Sequence, residues 1–217
     1  LVRAKYETAT IRVRITGFAK IVGDLIEGAV QVALFFAAAF FITKVLLLLY
    51  SRCWYATLIP LLCSTVAVVW QLGLLRALGF GLDPYSMLVP FLVFAIGISH
   101  GIQMVNAVRV EADQRKDSVR GARAAFRQLL VPGSVALISD TLGFLTILLI
   151  DIGIIREMAI AASVGIAVIL LTNLFMLPVL LSYMPTGYFK RTHVGRYTSQ
   201  WRWFADIFTR RNSALIM

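Results

Sequence analysis

Two ionisable side chains sit where the surrounding sequence is hydrocarbon. His100 lies in the apolar run from Ala95 to Asn106, and Asp140 lies in Ser139-Asp140-Thr141 of the following apolar run. An ionisable group at bilayer depth is expensive and usually faces a bundle interior or a wet cavity. Imidazole titrates near neutral pH, and a buried carboxylate regains its charge from a nearby cation. The chemistry open to the pair is therefore a proton relay. Ser99, Gln103 and Asn106 recur at i, i+4 and i+7, a polar stripe beside His100. Gly97 and Gly101 form a small-xxx-small pair that lets a neighbouring backbone approach, and Gly143 permits close packing beside Asp140. Ser134, Leu137 and Thr141 share a face of the Asp140 run, and Thr172 and Asn173 add polarity to the last run. The competing reading of these polar groups is interhelical hydrogen bonding with no chemistry.

The elements that must hold these groups are membrane spans. The chain has 217 residues, is 59% hydrophobic and has a mean hydropathy of +0.83. Soluble domains carry about 45–50% apolar residues. Five apolar runs reach the roughly 20 residues that cross a bilayer: Gly28–Leu49, Tyr55–Ala77, Tyr85–Ala107, Leu129–Ile150 and Ile154–Tyr183. The net charge is +10. Arg52 follows the first run, Arg109, Arg115, Lys116, Arg120, Arg123 and Arg127 crowd the third loop, and Lys190 to Arg211 form a basic tail. The positive-inside rule puts these segments and the C-terminus in the cytoplasm and the N-terminus outside. His100 then lies about 12 Å and Asp140 about 16 Å from the cytoplasmic ends of their helices, in a common layer.

Residues 11–15 alternate apolar and polar, as a half-buried strand does. A lone strand has no partner, so the expectation is the end of an external domain and, at Gly17–Glu27, its helical entry into the first span, together 1–27. A five-helix block follows at 28–184, then a basic linker at 185–217 with an interfacial helix and the start of another span. Lys44 and Arg76, near span ends, are expected to snorkel. Cys53 and Cys63 are about 15 Å apart along a helix and cannot bridge. With two His, two distant Cys and no phosphate loop, no metal or cofactor is expected beyond protons as coupling ion. Ser99 and His100 invite a hydrolase. Adjacent helical residues do not face each other, however, and His193 lies in the tail, so the chain reads as no enzyme. The basic charge flanks spans, so nucleic acid is not an expected partner.

The segments Ile15–Lys20, Gly97–Ile102, Ser139–Phe144 and Arg156-Glu157 resemble the RND-superfamily permeases. The branch is the MMPL or predicted-exporter type, kin to sterol-sensing-domain proteins. The resemblance covers nearly the whole chain. It implies an all-α membrane fold whose five spans are the second to sixth helices of an RND repeat, in the first half of a two-half polypeptide. Many relatives read Gly-x-Asp-Tyr/Phe-Gly on the third helix. Here Ser99 holds the acidic position and His100 the aromatic one, while Asp140 supplies an acid on the neighbouring helix. The implied function is proton-motive-force-driven export of a lipophilic or amphipathic molecule across a bacterial-type inner membrane. Its partners would be the lipid bilayer, the cargo, the second half of the polypeptide and a second copy in a homo-oligomer. The alternatives are a non-transporting sterol- or lipid-sensing module and a SecD/SecF-like translocation helper.

Overall fold

The computed structural model describes residues 17–81 and 86–184. Five helical stretches among them are long and apolar enough to cross a membrane. The first two are α1 (Phe18–Ser51) and α2 (Trp54–Ala77). A 3-10 turn (Ser86–Leu88) leads into α3 (Val89–Arg115), which is followed by α4 (Ser118–Thr146) and a second 3-10 turn (Ile147–Leu149). The fifth span is α5 (Gly153–Leu171), a π-helical turn (Thr172–Met176) and α6 (Leu177–Ser182). No strand occurs among the described residues; the alternating segment at 11–15 and the basic tail at 185–217 lie outside them.

The spans are longer than their apolar runs, and the third loop is nearly absent. The basic residues from Arg109 to Arg127, expected as a loop, are helical apart from a two-residue turn, Lys116–Asp117. Composition marks where hydrocarbon stops, not where a helix stops. At 1.5 Å per residue, α3 is about 40 Å long and outruns a ~30 Å hydrocarbon core. Lys116 takes the left-handed conformation (φ 52°) that ends α3. Asp117 caps α4 by accepting from the N–H groups of Val119 (2.9 Å) and Arg120 (3.3 Å). A Cβ on Gly121 would lie 2.6 Å from the Ala112 Cα, so the helices cross here only because residue 121 is glycine.

Other turns are closed by local polar contacts. Ser51 accepts from the Cys53 N–H (3.2 Å) and meets the Thr57 hydroxyl at 2.9 Å, which locks α1 to α2. The Phe80 N–H returns to the Leu75 carbonyl (3.0 Å) past Gly79, whose φ of 86° suits a helix C-terminus. Arg156 donates to the carbonyls of Leu148 (3.3 Å) and Ile150 (3.1 Å) and pairs with Asp151. The Ser118 hydroxyl donates to the Met184 carbonyl, tying the start of α4 to the end of the fifth span. The Lys44 ammonium stands 5.1 Å over the Trp54 ring.

The core lies between α2, α3 and the fifth span, with Leu61, Val93, Val108, Ile166, Ile169, Leu177 and Leu181 almost fully buried. By contrast, α1 and α4 are peripheral, with little of their apolar surface covered. Phe36 of α1 packs edge-on against Phe91 and Phe94 of α3, both at 5.3 Å.

Candidate functional site

The interior holds amides and hydroxyls that the apolar pattern does not announce. Gln71 and Ser64, one face of α2 seven residues apart, are fully buried. Gln71 donates to the Ala161 carbonyl at 3.1 Å, and a Cβ on Gly165 would collide with Val93 and come within 3.1 Å of the Gln71 amide. Asn173, 3% exposed in the π turn, donates to the Gly97 carbonyl at 2.7 Å. Ser64 Oγ, Gln71 Oε1, Ser163 Oγ and Asn173 Oδ1 have no hydrogen-bond partner among the described residues. Each such group costs about 1–3 kcal/mol when buried unpaired. Sequence reading singled out Asn173 but not Gln71 or Ser64. Their signal was the seven-residue spacing of two polar groups inside an apolar helix.

The two α3 glycines sit against α2. A Cβ on Gly97 would stand 2.8 Å from Ser64 Oγ, and one on Gly101 2.9 Å from Pro60 Cβ. Pro60 and Ser64 are one turn apart, so the glycine pair lets α3 lie directly on α2. The opposite arc of α3 carries the polar stripe. Ser99 and Gln103 are exposed and make no side-chain hydrogen bond among the described residues. Asn106, half-buried, donates to the Tyr50 hydroxyl of α1 at 3.1 Å.

His100 sits at the margin between stripe and core, half-buried. It lines a cavity of about 20 Å³ with Gln103 and Met104 of α3, Leu129, Gly133 and Leu137 of α4, and Asn173 and Leu174 of the π turn. Asp140 follows Leu137 by three residues on α4 and is exposed. Its charge acts on the imidazole, but no hydrogen bond or ion pair joins the two. They thus share the α3–α4 seam without touching. Thr141 donates back to the Leu137 carbonyl of its own helix at 2.8 Å. Nothing lies within 4 Å of a Cβ on Gly143, so no described neighbour uses that glycine. Ala136 and Gly143 share the exposed flank of α4 with Asp140, while the exposed side chains of Val135, Ile138, Leu142 and Leu145 lie on the far side of the helix.

A second cavity, about 370 Å³, opens where α2 ends and α5 begins. Leu72, Leu75, Phe80 and Ala161 line it with Arg76 and Glu157. Among the described residues, no cluster of three or more His, Cys, Asp or Glu side chains could hold a metal ion.

Residues 48–194, more than half of the chain, match the family model described as the sterol-sensing domain of SREBP cleavage-activation. A membrane protein of Methanocaldococcus jannaschii is 25% identical over 141 residues, which are 63% of this chain and 35% of that protein. The chain therefore spans about a third of the length of the curated relative it matches. It is a multi-pass helical membrane protein, and it belongs to the sterol-sensing domain family.

Proposed function

We propose that the chain is the membrane block of a proton-coupled transporter of the RND superfamily, MMPL-type branch, that exports a lipophilic or amphipathic molecule. The carrying observation is the pair of titratable groups, His100 and Asp140, on adjacent helices at one seam of the bundle. With neutral imidazole and ionised carboxylate the seam carries one negative charge; one added proton makes it neutral overall. In a low-dielectric layer those two states favour different helix packing. Each proton crossing a 100 mV potential supplies about 2.3 kcal/mol to drive the change.

A carboxylate exposed toward hydrocarbon costs about 2.5–3.5 kcal/mol at mid-bilayer on insertion scales. The α4 face bearing Asp140, beside the Ser99–Gln103 stripe, is therefore read as the contact face for the second half of the polypeptide. The basic cytoplasmic side and an inner-membrane location belong to the same reading.

The test is transport by the full-length protein in proteoliposomes under an imposed pH gradient. His100→Ala and Asp140→Asn should each abolish gradient-driven export while leaving insertion intact. Full activity in both variants would remove the relay.

One observation favours a second reading, a lipid-sensing module without transport. The 370 Å³ cavity is apolar with one guanidinium and one carboxylate in its lining, and it falls within the size range of small-molecule sites. Saturable photo-crosslinking of an amphiphile to Leu75 or Phe80, unaffected by proton gradient, would support it.

A further inference from the structure

Three facts converge beside His100. The side-chain amide of Asn173 is oriented by its short bond to the Gly97 carbonyl, which requires the nitrogen on that side. Its Oδ1, in a side chain 3% exposed, is left without a partner. Asn173 also forms part of the wall of the 20 Å³ cavity that His100 and Gln103 line from α3. A water needs roughly 10–15 Å³ of such space and two to four polar partners. The cavity offers the space, and three of its lining residues carry polar side chains: the Asn173 amide, the His100 imidazole and the Gln103 amide. The remaining lining residues, Met104, Leu129, Gly133, Leu137 and Leu174, contribute no competing side-chain hydrogen bond.

We propose that this cavity is a site for one water molecule that bridges Asn173 Oδ1 and the His100 imidazole. The proposal rests on the proton-relay reading and deepens it by naming what His100 exchanges its proton with. The water donates one hydrogen to Asn173 Oδ1. Its second hydrogen goes to the lone pair of a neutral imidazole. When the imidazole is protonated, the water accepts from the ring N–H instead, and its second hydrogen turns to the Gln103 oxygen. One proton added to His100 thus reverses the water–imidazole hydrogen bond and adds one from the water to Gln103. Among the described residues, the charged side chain acting on His100 from a packed element is Asp140 of α4. The fifth span contributes Asn173 and Leu174 to the cavity, neither of them titratable. The π turn carries an extra residue in its hydrogen-bonded ring, a feature often found at functional sites. Here it holds Asn173, which reaches both the α3 backbone and the cavity.

The experiment is water-edited solid-state NMR on the full-length protein in lipid bilayers with ¹⁵N-labelled histidine. The His100 ring signal is assigned as the one missing from His100→Ala. Two variants probe the site. Asn173→Leu removes the acceptor. Gly133→Ala keeps the Asn173–Gly97 bond and adds a methyl to the cavity wall, 3.4 Å from Leu174 Cδ2. Transfer from water to the His100 ring should drop at least about twofold in both, because either change removes a partner or the space. Unchanged transfer in Gly133→Ala overturns the site, whatever the stability of Asn173→Leu. Proton-driven export measured on His100→Ala separates the two ideas. Export abolished with transfer unchanged in Gly133→Ala leaves the relay and removes the water site. Export retained with transfer reduced leaves the water site and removes the relay.

Discussion

Asn173, in the π turn of the fifth span, donates its side-chain N–H to the carbonyl of Gly97 on α3 across 2.7 Å. That bond links two helices within one turn of His100, at a point where α3 also lies against Ser64 of α2.

Asn173→Asp should destabilise the protein more than Asn173→Leu. The leucine loses one hydrogen bond, worth about 0.5–1.5 kcal/mol, but also removes an unpaired buried oxygen. The aspartate places an acceptor against the Gly97 carbonyl and buries it unpaired, at about 1–3 kcal/mol or more. Thermal unfolding in detergent, read by loss of helical dichroism, ranks the two.

Glycine substitutions should split by neighbour. Gly121→Ala puts a methyl 2.6 Å from the Ala112 Cα, and separating the helices costs about 1–3 kcal/mol. Gly143→Ala meets nothing within 4 Å and should gain about 0.5–1 kcal/mol of helix preference. If Gly143→Ala leaves the stability of this chain intact yet impairs the full-length protein, residue 143 lies on the contact face proposed above.

Asp140→Leu should insert at least as well as the parent chain, because it takes an exposed carboxylate out of an apolar span. The gain is about 2.5–3.5 kcal/mol on translocon scales if the residue is at mid-bilayer. A glycosylation-reporter insertion assay reads this directly. Poorer insertion of Asp140→Leu would mean that the carboxylate is held by a partner during assembly.

Asp117→Ala should loosen the α3–α4 turn by about 0.5–2 kcal/mol, the usual worth of an N-cap. Hydrogen exchange at Val119 and Arg120, whose N–H groups the carboxylate accepts, should accelerate with little change in the middle of α4.

The five spans were legible because each is an apolar run of bilayer length, and that signal needs no partner to read. Depth arithmetic on two consecutive helices puts His100 and Asp140 in one layer, but among the described residues no hydrogen bond or ion pair joins them. The helical ends were not. Arg109 to Arg127 are charged because they lie beyond hydrocarbon, and charge in a helix looks like charge in a loop. Gln71 escaped notice because its only periodic signal is the seven-residue spacing from Ser64, and its bond to Ala161 spans 90 residues of sequence. Thr141 was expected to support the site but bonds its own helix, a choice that depends on which neighbour arrives. Asn173 was noticed as polar, yet its reach to Gly97 depends on a π turn that no spacing rule marks.

The Gly121–Ala112 crossing acts as a fulcrum. With a two-residue turn just beyond it, α3 and α4 cannot slide lengthwise past each other, so their remaining freedom is to scissor. His100 is twelve residues from Ala112, a lever arm of about 18 Å, so a scissoring of about 10° displaces it by about 3 Å. A methyl-sized clearance near the loop thus sets how far the middle of the membrane can gape.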